Sequence, residues 1–208
     1  MVKKGKKKEN YIKEKRQIII NAALKVFAQK GFTNSKISDI AKEAGVADGT
    51  IYIYFKKKDD IIISLFENKM GEFNQLLKKE INKEKTPVEK LKKFISVHLN
   101  TLSKNKELAE IFTIELRQSA KFMENYHNTE LKDYAAILIE IIEQGKKAEY
   151  FKEEIPTSII WQFIFGILDQ IVLNWVRKEK STAKSLQNMI RFVLLFILDA
   201  LLIKKEEQ

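Results

Sequence analysis

The side chains able to do chemistry in this chain are hydrogen-bond donors, acceptors and cations, not nucleophiles. There is no cysteine and there are only two histidines, His98 and His127. His98 lies on an apolar helical face, which suits a core or pocket histidine better than a general base. His127, beside Tyr126 and Asn128, reads as a helix-surface residue. No HExxH pattern, phosphate-binding loop, dinucleotide fingerprint or nucleophile elbow occurs. Acidic pairs such as Glu153-Glu154 fall in turn-like sequence, so an enzyme is not expected. The stretch from Ser35 to Lys58 instead gathers groups that suit the phosphates and base edges of DNA. Thr50 can hydrogen-bond a phosphate or press its methyl on a thymine. Asp48 can accept a hydrogen bond from cytosine N4, or simply stabilise the first turn of a helix. Tyr52 and Tyr54 are two residues apart and therefore splay, which suits separate phosphate contacts; Tyr54 also fits a half-buried place against a neighbouring helix. Lys58 can anchor a phosphate with help from a helix N-terminus. Ser35 stands where a helix cap or a phosphate contact is expected, and Ala47 and Gly49 complete the turn that would approach the bases.

The elements that must position these groups are short. Ile37, Ile40, Ala41 and Ala44 recur at helical spacing and mark one helix. Gly45 supplies the positive φ that stops it. A second short helix then carries Thr50, Tyr52 and Tyr54 on its polar face and Ile51 and Phe55 on its buried one. Helix, glycine turn and helix at this length form a helix-turn-helix, whose second helix enters the DNA major groove. A preceding helix over about 10–30 has its apolar stripe at Ile19, Ala22, Ala23, Val26 and Phe27 and ends at Gly31. Asn34 or Ser35 can cap the next helix.

The 208 residues carry a formal net charge of +10, and residues 1–60 hold 15 Lys or Arg against 7 Asp or Glu. A basic end on a near-neutral body suits a polyanion partner for that end. Residues 1–9 are expected to be a disordered basic arm, either solvated or lying along phosphates. The most apolar run, Phe192 to Leu198, has seven residues, against about 20 needed to span a bilayer. No apolar signal-peptide core follows the basic start. A cytoplasmic protein with no membrane partner is the expectation.

Beyond the motif, apolar spacing predicts a long helix from Asp59 to about Lys83, some 35 Å at about 1.5 Å per residue. Thr86-Pro87 opens another. Further helices are expected over about 107–122, 123–144 (stopped by Gly145), 156–177 and 181–204. The fold class is therefore all-α, with about nine helices and no convincing strand. An N-terminal DNA-binding domain is expected over 10–57 and a C-terminal dimerisation domain over 58–208. The helix over 156–177 is apolar around much of its girth, so it must be buried on several sides. Packing against a second copy of the chain achieves this, and an intrachain core is the alternative. The interface residues expected are Trp161, Phe165, Leu168, Val172, Trp175, Phe192 and Phe196.

The motifs Gly31-Phe32, Ile37, Ile40-Ala41, Ala44-Gly45-Val46, Gly49-Thr50-Ile51-Tyr52, Tyr54-Phe55 and Lys58-Asp59-Asp60-Ile61 resemble the TetR family of bacterial transcriptional regulators over about residues 12–72. That resemblance implies a homodimer on a palindromic DNA operator, released as a repressor by a small ligand. Ala47 and Asp48 depart from the Ser and Lys often found there, so no base code carries over. Later stretches, Glu115-Leu-Arg-Gln-Ser, Ile164-Phe-Gly, Asp169 and Trp175-Val, are similar to the acyl-CoA-responsive repressors of fatty-acid degradation. They imply a long-chain acyl-CoA effector and no bound cofactor. For such a ligand, Phe73, Phe94, Phe112, Phe122 and Phe163 can line an apolar tunnel, and Leu116 and Gln118 are further expected ligand contacts. Arg117, one of four arginines among 34 lysines, can meet a phosphate or a buried carboxylate. Two rival readings are a drug-responsive repressor of efflux genes and a basic helical module on membrane surfaces.

Overall fold

The computed structural model describes residues 2–113, 129–178 and 182–203. Nine helices stand among them: α1 (Val2–Lys30), α2 (Ile37–Ala44), α3 (Asp48–Tyr54), α4 (Lys58–Ile81), α5 (Pro87–Lys104), α6 (Lys106–Thr113), α7 (Thr129–Lys147), α8 (Thr157–Val176) and α9 (Ala183–Leu201). Among the described residues the only β pairing is an isolated bridge between Phe151 and Leu202. The chain divides into two compact units.

The first unit runs to Lys69 and includes residues from Glu110 onward, of which Glu110–Thr113 are described. The expected boundary at 57/58 coincides with the start of α4, whose residues as far as Lys69 belong to the first unit. Helix α1 begins at Val2, eight residues before the expected start, so residues 2–9 are helical and not an irregular arm. Lysine is a good helix former, and Gly5 is the only breaker in that run. α1 packs on α2, and α2 on α3. Ala23, Phe27, Ile40, Ala41 and Ile51 are fully buried in this three-helix core, and the Phe27 and Phe32 rings meet edge-on at 5.5 Å.

The second unit comprises Met70–Ala109 and the chain from Asn128. Here α5 packs against α7, α8 and α9. Its start is as expected: the Thr86 hydroxyl accepts from the Glu89 N–H at 3.2 Å, and the Glu89 carboxylate accepts from the Thr86 N–H at 3.1 Å. This reciprocal cap satisfies two N–H groups that the helix itself cannot. Gly145 does not stop α7, which continues to Lys147. The left-handed residue after the helix is Glu149, at φ 56°. Gly145 serves packing instead: a Cβ built there would lie 2.0 Å from Cδ2 of the fully buried Phe151.

Candidate DNA-binding face and ligand core

The turn between α2 and α3 is built as the sequence requires. Gly45 adopts φ 67°, and its N–H and that of Val46 bond the Lys42 and Ala41 carbonyls at 3.2 and 3.0 Å. Helix α3 has seven residues, too few to be stable in isolation. Its buried anchors are Ile51 and Phe55, 0% and 3% exposed. Its far end is clamped by Arg16 from α1. One guanidinium nitrogen donates to the Tyr54 carbonyl and another to Ser64 Oγ, both at 3.1 Å. The same guanidinium sits 4.4 Å from the Phe55 ring centroid.

With that side pinned, the opposite side is open. Ala47, Asp48, Gly49 and Tyr52 are exposed, and Thr50 and Tyr54 are half-buried. A Cβ at Gly49 would meet nothing within 4 Å, so another molecule can approach the backbone there. Ile53, absent from the expected DNA-facing residues, is 77% exposed, more than any other large apolar side chain among the described residues. The signal for it in the sequence is helical spacing: two residues from each of the buried Ile51 and Phe55, Ile53 falls on the opposite side of the helix.

Two expected DNA contacts are reassigned. Ser35 is buried, and its hydroxyl donates to the Phe32 carbonyl at 2.8 Å. It caps nothing; Lys36 holds the N-cap position of α2, with its N–H donating to Asp39 at 2.9 Å. Lys58 is turned inward. Its ammonium donates to the carbonyls of Phe32, Thr33 and Ser35 at 2.5, 3.3 and 2.8 Å and lies 4.5 Å from the Phe32 ring centroid. An ammonium has three hydrogens, and these three carbonyls accept them. Burial draws its pKa down, with the Asp59 carboxylate pushing the other way. Lys58 therefore fastens the α1–α2 turn to the start of α4. Lys36, Lys56 and Lys57 are exposed, as is Lys42 on α2. A run of three lysines gives no sequence cue to which one folds inward.

In the second unit, Phe73 and Phe94 belong to an aromatic cluster centred on Tyr134, which is 1% exposed. Phe73 stacks on Tyr134 at 6.1 Å, and Phe94 is tilted against it at 5.2 Å. Trp161 and Phe165 stack on each other at 4.9 Å and present their edges to the same ring. A polar contact inside this cage joins the Tyr134 hydroxyl to His98 Nδ1 at 2.8 Å. Burial pushes His98 down to about 3, so it stays neutral. Burial, reinforced by the Asp169 charge, pushes the Tyr134 phenol well up. Phe112 belongs to the first unit, where it meets Phe66 edge-on at 5.1 Å. Leu116, Arg117, Gln118 and Phe122 lie outside the described residues.

The faces of α8 are the reverse of the expectation in part. Leu168 and Val172 are fully buried within a single chain and Trp175 nearly so, while Trp161 and Phe165 turn into the cage. Phe163, expected in the ligand tunnel, is 68% exposed. It stands on an outer face with Ile159 and, from α9, Phe192, Leu195 and Phe196. A groove of about 250 Å³ between α8 and α9 runs past Phe163 and Phe196. Helix α8 is also long and apolar enough, by length and composition, to cross a membrane, the one such helix among the described residues. Its Ile160, Ile164, Leu168 and Val172 side is nevertheless in the protein core. Among the described residues no three His, Asp or Glu side chains converge on a metal-sized site.

Comparison with known proteins covers both units. Residues 19–65 match the bacterial regulatory proteins of the tetR family, and residues 66–199 match the YsiA-like protein C-terminal region. The chain is 42% identical over 163 residues to the fatty acid metabolism regulator protein of Bacillus subtilis, covering 78% of this chain and 84% of that one. Its fold is similar to that of the fatty acid degradation regulator FadR from Bacillus halodurans, with TM-score 0.81 and 40% identity over 88% of this chain and 94% of that one. It is equally similar, at TM-score 0.81 and 38% identity, to FadR from Bacillus subtilis in complex with stearoyl-CoA, covering 88% and 98% of the two chains.

Proposed function

This chain belongs to the TetR family of bacterial regulatory proteins, a family of DNA-binding transcription regulators, and we propose that it is a homodimeric cytoplasmic repressor of fatty-acid metabolism genes. Long-chain acyl-CoA releases it from a palindromic operator. The observation that carries this reading is that the likeness to a fatty acid metabolism regulator runs through the ligand-binding half as well as the DNA-binding half. The aromatic cage around Tyr134 supports it, since a fatty chain needs an apolar lining.

The DNA face is the open side of α3. Tyr52 and Thr50 meet phosphates, the backbone at Gly49 admits close approach, and Ile53 offers an apolar contact such as a thymine methyl. Lys36, Lys56 and Lys57 supply the cations, and Lys58 and Arg16 position the motif. The outer face of α8 and α9 is read as the dimer interface. Phe163, Phe192, Leu195 and Phe196 form an apolar surface of the kind that monomers rarely leave open, and two helices against their copies satisfy two-fold symmetry. Release is a population shift: the ligand favours a state in which α4 and the recognition helices no longer match the half-site spacing. A tenfold release requires about 1.4 kcal/mol of coupling.

The test starts from DNA selected out of a random-sequence pool by the protein itself. Titrating that complex with oleoyl-CoA and with free oleate should show release by the ester. No release at saturating ester removes the effector assignment. Failure to select any DNA removes the operator reading altogether.

A further inference from the structure

His98 raises a question that the apolar cage does not answer. Its Nδ1 is engaged by the Tyr134 hydroxyl, yet Nε2 is buried and meets no acceptor or donor among the described residues. The residue is 6% exposed. Most buried side-chain polar atoms have a partner, and one left without calls for an explanation. Around it stand Phe73, edge-on at 5.7 Å, and Tyr134, so the rings nearest it leave Nε2 as the polar atom on offer. A phenol O–H is a stronger acid than a neutral imidazole N–H, so the phenol donates to Nδ1 and the neutral imidazole carries its hydrogen on Nε2. Such a group suits a neutral acceptor carried in on an apolar molecule. It does not suit a phosphate or carboxylate, because a buried anion requires a cation or several donors.

We infer that His98 Nε2 donates a hydrogen bond to the thioester carbonyl of a bound fatty-acyl thioester. The inference rests on the reading that acyl-CoA is the effector, and deepens it. The acyl chain occupies the apolar surroundings, and its only polar atom able to enter them without charge is that carbonyl oxygen. Tyr134 acts as a positioning residue, holding the imidazole tautomer and ring plane. The same arrangement gives the protein a means of rejecting free fatty acids. Their carboxylate arrives at this point charged, opposite a neutral donor in a cage that the Asp169 charge already reaches.

The test compares hexadecanoyl-CoA with S-hexadecyl-CoA, the thioether that differs by lacking the carbonyl. Isothermal titration calorimetry on the full-length wild-type protein should show the thioether binding about tenfold more weakly, and palmitate more weakly still. The double variant His98→Leu/Tyr134→Phe removes both partners of the internal bond together, which avoids stranding either. It should bind ester and thioether alike while still binding the selected DNA. Equal wild-type affinity for ester and thioether overturns the inference but leaves the effector assignment standing. So does a tenfold ester preference that survives in the double variant. If neither CoA compound binds wild type, the inference falls together with the effector reading.

Discussion

Substituting Arg16 by Ala removes what the recognition helix needs at its C-terminal end. The guanidinium gives two hydrogen bonds, to the Tyr54 carbonyl and Ser64 Oγ, and covers the Phe55 ring at 4.4 Å. Hydrogen bonds from a charged donor contribute about 1.5 kcal/mol each at the low end, and a cation over an accessible aromatic ring about 0.5 kcal/mol. Arg16 is half-buried, so water recovers part of this, and the net local loss is about 2 kcal/mol. It falls on a seven-residue helix that depends on tertiary packing, and so raises its opening equilibrium about thirtyfold. The readout is amide hydrogen exchange at Phe55, whose N–H bonds the Ile51 carbonyl at 3.0 Å. Operator affinity should fall several-fold while the slope of log affinity against log salt stays unchanged. Were Arg16 itself bound to a DNA phosphate, its removal would reduce that slope by about one. Arg16→Lys should restore little, since an ammonium cannot span both acceptors and also cover the ring. Unchanged exchange at Phe55, or a slope reduced by one, would refute the positioning role.

Gly145→Ala should lower the urea midpoint, because the new Cβ meets the Phe151 ring and overpacking costs about 1–3 kcal/mol; at an unconstrained helical glycine the same change stabilises by up to about 1 kcal/mol, so a rise in midpoint contradicts the packing role. Phe196→Glu places a charge on the outer face of α9 and should yield monomers in sedimentation equilibrium with helical circular dichroism retained; an intact dimer would move the interface elsewhere. His98 is held neutral at about 3 from an ordinary 6.5, so between these values the unfolded chain takes up a proton that the folded chain refuses. Its stability contribution is therefore complete above the ordinary value of 6.5 and is lost on acidification, by up to about 1.4 kcal/mol per pH unit. Urea denaturation at about pH 7 and about pH 5 should show wild type losing about 2 kcal/mol more than His98→Leu/Tyr134→Phe, and parallel losses would show that His98 protonates freely in the fold.

What could be read from the sequence was what depends on neighbours along the chain. The helices follow from apolar spacing and from breakers, and the α2–α3 turn follows from Gly45, whose φ of 67° an L side chain rarely adopts. The Thr86-Pro87-x-Glu89 start of α5 is equally local. The family resemblance, too, sat in contiguous motifs. Tertiary structure decided how residues with several possible uses were employed. Among Lys56, Lys57 and Lys58, only the geometry of the α1–α2 turn selects the one that meets three carbonyls. Gly145 reads as a helix stop in the sequence, but in the fold the Phe151 ring, six residues on, lies against it. Helix α8 is the clearest case. A helix apolar on nearly every side carries little periodic signal to orient it, so Trp161 and Phe165 could not be told from Phe163 by spacing alone. Which of them faces the Tyr134 cage and which faces outward is set by α5 and α7 packing against one side, because burial is a property of the assembled helices and not of any one of them.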